Sequence, residues 1–256
     1  MIEIHEEPVA TATWLSHYLL SKNVKDKGFE YLFGGLGGDE LNAGEFEYFP
    51  MYFADLKVNG KLKQYETEVA FWIKHHDHPI YQKSKIIADR ATEELVDINN
   101  PGVVLPDYDR LRQYADAVNL SIFNMHKFEP DMSSPFSTYL KSRTYQDLTR
   151  ETLPCCLRAE DRHSTKLGIT HVDPFLDHKL IEFMYQIPGE LKIKNGVTKQ
   201  LLRRAVADIV PTETRQRIKK TGWNAPAHKW FSKKSIGQLQ DYLNSQWLKD
   251  MNFFNI

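Results

Sequence analysis

The spacing of apolar and polar positions divides the chain into many helical stretches and one clear strand. In "WLSHYLLSKNVKDKG" the apolar residues Trp14, Leu15, Tyr18, Leu19 and Leu20 fall largely on one helical face, and Gly28 supplies the stop. "FEYLFGG" follows, with Phe29, Tyr31 and Phe33 alternating and Leu32 apolar on the other face. That pattern predicts a short strand running straight into a run of glycines. "DELNAGEFEYFPMYFADL" mixes good helix formers with an aromatic stripe and predicts a helix that Pro50 breaks or kinks.

From about residue 60 to 150, "KLKQYETEVAFWIKHH", "YQKSKIIADRATEELVDI" and "DYDRLRQYADAVNLSIFN" repeat apolar residues at three and four, with "HDHP" and "NNPG" as connections. "PFSTYLKSRTYQDLTRETLPCCLRAEDR" predicts a helix interrupted at Pro154. "PFLDHKLIEFMYQIP" predicts one entered through Pro174 and closed before Pro188, and "VTKQLLRRAVADIVP" one closed at Pro211. The expected fold class is α/β but predominantly helical. With one strand, the chain cannot build a large sheet from its own residues.

Composition narrows the function classes. The 256 residues, 41% apolar and 26% charged, suffice for one large domain or two small ones. Lysine plus arginine number 33 against 34 acidic residues, so no global field recruits nucleic acid or an anionic membrane. A charged ligand must be met locally. "MIEIHEEPVATATWLSHYLLSK" has neither the basic start nor the apolar run of a signal peptide, and no apolar run approaches the length of about eighteen residues that a membrane helix needs. A cytoplasmic protein is expected. The adjacent Cys155 and Cys156 suit neither an ordinary disulfide nor a zinc knuckle, and are read as buried small apolar residues in a reducing compartment.

The candidate chemistry begins in "YLFGGLGGDELNAGE". Gly34, Gly35, Gly37 and Gly38 lie between a strand and a helix, where bare backbone N–H groups bind phosphate, and Asp39 is placed to hold Mg²⁺ beside it. The alternative is that the glycines only turn the chain and Asp39 caps the helix. Lys199 opens a helix in "TKQLLRR", and Lys219 and Lys220 sit in "RQRIKKTGWNAP". Such lysines either neutralise a leaving pyrophosphate or form a solvated basic face, while Arg203 and Arg204 are expected to face solvent. Asp161 and Arg162 either orient a substrate or lock two helices together. His171 with Asp173, Asp177 with His178, and His75, His76 and His78 lack the spacing of a metal site. No G-x-S-x-G elbow, Walker loop or H-E-x-x-H occurs.

Together these stretches resemble the synthetase domain of the glutamine-dependent asparagine synthetases and related asparagine-synthase-like amide ligases. "EEPVATATWLSHYLLSK" is similar to the family's E-P…LLSK helix, and "FGGLGGDELNAGE" to its S-G-E-G-x-D-E-L-F-G-G-Y loop. "LPCCLRAEDRHST" is similar to L-P-x-x-L-R-x-x-D-R-x-S-M, and "VDPFLDHKLIEF" to V-P-F-L-D-H-x-L-V-E-F. "IPGELKIKNGVTKQLLRRA" and "RIKKTGWNAP" follow in the family's order. Residues 50 to 140 match only in helical character.

The resemblance implies an adenine-nucleotide α-hydrolase-like (ATP pyrophosphatase) synthetase domain over 1–256. A strand and glycine-loop part covers 1–50, a variable helical part 51–150 and a family-like helical part 151–256. It implies ATP and Mg²⁺ as cofactors, a small-molecule carboxylate as substrate, and ammonia or an amine as nitrogen donor. Asp39 takes the Mg²⁺ role and Lys199 the catalytic role against pyrophosphate. Preorganised charge of this kind is typically worth about 3 kcal/mol of barrier per group. Departures accompany the matches: Gly34 stands for the family serine, Leu36 for its glutamate, and Thr170 and Val172 for the glutamate and arginine around R-V-P-F. The S-G-G-x-D-S loop that binds the ATP pyrophosphate and the glutaminase domain have no counterpart in the sequence. The chain therefore reads as the back part of a synthetase domain, needing a partner that carries that loop or a glutaminase. A non-catalytic binding subunit and a ligase for a substrate other than aspartate are the alternatives.

Overall fold

The computed structural model describes residues 1–7, 9, 11–75, 83–96, 133–219, 225, 227–230 and 233–250. In chain order the elements are α1 (Ile2–His5), α2 (Thr13–Asp26), β1 (Tyr31–Phe33), α3 (Gly38–Asn42), α4 (Tyr48–Val58), α5 (Leu62–His75) and α6 (Lys85–Val96). After these come α7 (Tyr139–Thr149), α8 (Thr152–Leu167), β2 (Thr170–Val172), a 3₁₀ turn (Pro174–Leu176), α9 (His178–Gln186), α10 (Gly189–Lys192), α11 (Gln200–Ala205) and α12 (Thr212–Gln216). The last three are α13 (Ala227–Trp230), α14 (Lys233–Leu243) and α15 (Gln246–Asp250). The fold is mostly helical with a small parallel sheet. The helix expected over "DYDRLRQYADAVNLSIFN" and both expected connections lie outside the described residues.

The chain forms two compact units. The first comprises Met1–Val9, Trp14–Val103 and Met132–Gly222, and carries both strands. The second comprises Ala10–Thr13, Val104–Asp131 and Trp223–Ile256; within it the Ala225 amide donates to Thr13 Oγ1 at 3.4 Å. Among the described residues no helix is long and apolar enough to cross a membrane.

The main core of the first unit is aromatic. The stripe on α4 buries Tyr48, Phe49, Tyr52, Phe53 and Leu56 against Tyr65, Val69 and Trp72 of α5. Phe53 meets Tyr65 and Trp72 edge to face, each with ring centroids 5.7 Å apart, a geometry that the ring quadrupoles favour. Asp55, on the same helix, accepts hydrogen bonds from the Tyr139 and Leu140 amides at 2.8 and 3.1 Å. It thereby satisfies first-turn donors of α7, whose own Thr138 makes no capping bond. A second cluster gathers Leu41 with Met184 and Tyr185 of α9.

Several expectations are corrected. Pro50 breaks nothing: it is the third residue of α4, where a missing N–H has no helical partner to lose. The break falls earlier, at Ala43, whose φ of 53° ends α3. Pro154 likewise lies in the first turn of α8, and the interruption is at Arg150 and Glu151. Cys155 is exposed and Cys156 only half-buried, because α8 turns its Leu153, Ala159, Glu160, His163 and Ser164 stripe inward and Cys155 lies off it. The sequence reading found one strand, but β2 pairs in parallel with β1, placing Tyr31 opposite Thr170, Leu32 opposite His171 and Phe33 opposite Val172. The 3₁₀ turn from Pro174 leads into α9, which Asp177 caps by accepting from the Lys179 and Leu180 amides.

Candidate functional site

Both strands deliver their C-terminal ends to one place, the position where open α/β sheets bind ligands. The Gly34 amide donates to the Val172 carbonyl at 2.8 Å and extends the ladder one residue past β1. The Gly38 amide turns back to the Gly35 carbonyl at 3.2 Å. Two of the four loop glycines thus spend their N–H groups on the chain itself, whereas the amides of Gly35 and Leu36 make no hydrogen bond within the described residues. Gly35 is exposed, with open space where a Cβ would stand. Gly37 adopts φ 85° at the entry to α3, and a side chain there would also meet Leu176 Cδ2 at 2.4 Å. A non-glycine residue fails on both counts.

Asp39 lies in the first turn of α3, where the helix dipole favours a carboxylate. Its Oδ1 stands 2.6 Å from Lys199 Nζ, and the two side chains are 28% and 32% exposed. The Asp39 and Lys199 singled out from sequence therefore form one ion pair. Lys199 reaches it from the N-cap of α11 in a left-handed conformation, φ 59° and ψ 29°, with its amide donating to Asn42 O at 3.1 Å. A left-handed lysine costs roughly 1–2 kcal/mol. The strain is held by the turn before it: buried Glu68 of α5 accepts from the Asn195 and Gly196 amides, both at 2.8 Å. Gly44 completes the arrangement, since a Cβ there would sit 2.0 Å from Asp39 Oδ1 and 2.5 Å from Lys199 Cε.

The other expected residues lie elsewhere. Lys219 is exposed, and Lys220 is outside the described residues. Asp161 is exposed and does not pair with Arg162; Arg162 Nη1 donates to Glu6 Oε2 at 3.1 Å and Arg158 Nη2 to Glu7 Oε2 at 2.8 Å, so these arginines tie α8 to the segment ending α1. Arg204 faces solvent as expected, but Arg203 does not. It is half-buried and donates to the Thr198 carbonyl at 2.9 Å and to the Arg215 carbonyl. His75 ends α5 stacked on Phe71, and His76 and His78 lie outside the described residues.

Sequence reasoning missed Gly44, Glu68 and the surroundings of Gly34. A Cβ on Gly34 would meet Asp173 Oδ1 at 2.4 Å and His171 Cε1 at 2.5 Å. The bare position therefore accommodates His171 and Asp173, whose Nδ1–H donates to Oδ2 at 3.1 Å. Glu160 joins them with His17 Nδ1, while His5 and His163 share a hydrogen bond at 2.9 Å between their Nε2 atoms. Burial pushes the His163 imidazole down to about 4 against the pull of Glu160. The alternation of His171 and Asp173 around one strand residue was the available signal for this cluster.

Comparison with known proteins gives the family. The chain is 28% identical over 232 residues to asparagine synthetase [glutamine-hydrolyzing] 1 of Bacillus subtilis, covering 88% of this chain and 35% of that protein. It is 38% identical over 96 residues to the Gallus gallus asparagine synthetase [glutamine-hydrolyzing], covering 35% of this chain and 16% of that protein, and 34% identical over 96 residues to the Homo sapiens one, again 35% and 16%. The chain thus spans about a third or less of the length of these relatives. No solved structure matches it significantly. The asparagine synthase family model matches residues 1–256, and the chain belongs to that family.

Proposed function

We propose that this chain supplies the pyrophosphate and Mg²⁺ side of an ATP-dependent, AMP-forming amide ligase. The observation that carries the reading is the Asp39–Lys199 ion pair, held beside a glycine loop at the C-terminal ends of two parallel strands. In the reaction of such a ligase a carboxylate oxygen attacks the α-phosphorus of ATP, pyrophosphate leaves, and an amine displaces AMP to give the amide.

The residues fit an Mg²⁺ ion. Asp39 offers a hard oxygen donor at a partly open position, and Mg²⁺ is commonly held by one or two carboxylates together with phosphate oxygens. Bound there, the ion would neutralise charge on the departing pyrophosphate. Without ligand, Lys199 and Asp39 compensate one another. With pyrophosphate present, Lys199 would turn its ammonium to the phosphate oxygens and leave Asp39 to hold the metal, while the Gly35 and Leu36 amides would add neutral donors. The S-G-G-x-D-S half of the nucleotide site would come from outside residues 1–256.

Calorimetric titration of the chain with pyrophosphate and Mg²⁺ is expected to show binding that Lys199→Ala and Asp39→Asn each weaken by about tenfold or more. Mixing with a polypeptide carrying S-G-G-x-D-S should then give ATP-dependent pyrophosphate release. Variants that leave both readouts unchanged would remove the assignment. Half-buried Leu36, in place of the family glutamate, favours a second reading as a binding subunit without chemistry, which pyrophosphate binding without turnover in any mixture would support.

A further inference from the structure

The first unit holds a cavity of ≈ 1260 Å³ lined by the start of α5, by α10 and the turn after it, and by α11. Neither Asp39 nor Lys199 lines it. Cations reach it from three separate stretches of chain: Lys61 and Lys63 at and just before the start of α5, Lys194 in the turn, and Arg204 on α11. Its two carboxylates are already engaged, Glu190 with the Lys61 ammonium and Glu68 with the Asn195 and Gly196 amides. The side chains of Lys63, Lys194 and Arg204 are exposed and have no hydrogen-bond or ion-pair partner among the described residues. Leu62 and Leu191 line the same cavity and stay 60% and 44% exposed. With 33 basic against 34 acidic residues in the whole sequence, this surplus of positive charge is local.

We propose that this cavity binds a phosphate monoester carried on a small apolar group. Like charges gathered in one concavity repel each other and focus a positive field, which an anion relieves. A phosphate monoester carries close to two negative charges at neutral pH and three terminal oxygens that accept hydrogen bonds, against three cationic side chains that only donate them. The planar fork of Arg204 can take two of those oxygens at once. Covering Leu62 and Leu191 with carbon removes apolar surface from water, so the ester body adds affinity that inorganic phosphate lacks. The uncompensated cations and the exposed leucines are independent observations, and both call for one molecule, charged at one end and apolar at the other. The binding does not rest on the function proposed above.

The full chain, titrated with 1-naphthyl phosphate at low salt and followed by amide NMR, should saturate below roughly 10 mM with shifts at Lys63, Asn195 and Arg204. 1-Naphthol, which keeps the body, and inorganic phosphate, which keeps the charge, should each bind at least about tenfold more weakly. Lys194→Gln combined with Arg204→Gln should weaken 1-naphthyl phosphate at least about tenfold. Both side chains are exposed, so the double variant should unfold at the same denaturant concentration as the unaltered chain. Lys199→Ala should leave the titration unchanged. Failure to saturate would return the three cations to a solvated basic face, and a half molecule that binds as well as the whole would reduce the cavity to an apolar patch or a bare anion contact. A loss with Lys199→Ala equal to that of the double variant would put the ligand at the pyrophosphate site. Each of these results overturns the proposal. Pyrophosphate binding is measured separately, so either reading can fail without the other.

Discussion

The first unit contains two regions built on opposite principles. Between α4 and α5, large aromatic side chains fill the interior: Phe53 is 0% exposed and Tyr65 1%. Around the two-stranded sheet the aromatic residues point outward, with Tyr31 at 60% and Phe33 at 69%, while the interior holds His163 at 0% and Glu160 at 7%. Burying an aromatic ring needs no partner of set direction; burying histidine and carboxylate needs donors and acceptors placed to match. The aromatic region thus carries stability, and the sheet region buries polar groups whose cost that stability offsets.

The comparison can be broken most directly by size. Phe53→Ala should lose about 3–5 kcal/mol in urea unfolding, whereas Phe33→Ala should stay within about 0.5 kcal/mol. Similar losses at both positions would erase the distinction.

Next in magnitude is pH. Burial raises the Asp55 carboxyl to about 6, against the hydrogen bonds from Leu140 and Tyr139. Between its ordinary value and 6 the folded state holds a proton that the unfolded state has released, so this group's contribution falls as pH rises through that window. His163, lowered to about 4, acts oppositely: its contribution is lost as pH falls from its ordinary value toward 4. Each is worth up to roughly 3 kcal/mol. Asp55→Asn should therefore leave stability rising with pH between 4 and 6, and His163→Gln should leave it falling, as read by denaturant unfolding at stepped pH.

Smaller effects separate support from chemistry. Gly44→Ala should destabilise by about 1–3 kcal/mol through the clash with Asp39 and weaken pyrophosphate binding in calorimetry. Lys199→Gly relieves a left-handed side chain and should raise stability by up to about 1 kcal/mol, while pyrophosphate binding falls. A Lys199→Gly protein that binds as before would show that the strained lysine has no ligand to serve.

Much of this was legible in the sequence, and the failures share causes. Asp39 and Lys199 could be marked because a carboxylate after glycines and a lysine before a helix are local patterns. Their ion pair could not, because it depends on Glu68 and Gly44, whose roles exist only after folding. Pro50 and Pro154 mislead in the same way: proline ends one helix or begins the next, and the choice lies in residues upstream, Ala43 in one case and Arg150 with Glu151 in the other. β2 is as short as β1 but carries a single apolar residue, Val172, so it lacks the apolar alternation that marks Phe29, Tyr31 and Phe33. The cysteines were read from residue type alone, but their exposure is set by the face of α8 on which they fall.

Glu68 has a consequence for how the protein is made. Its bond to the Asn195 amide closes a loop of 127 residues, so the turn that steers Lys199 is anchored only once α5 and the distant segment have met. Contacts so remote in sequence are slow to form. During synthesis Asp39 emerges from the ribosome long before its lysine, and the aromatic pairing of α4 with α5 can form in the interval. The Asp39–Lys199 pair is then among the last contacts of the first unit to form, and because Ile193 completes the same aromatic core, that core closes together with the turn that steers the lysine.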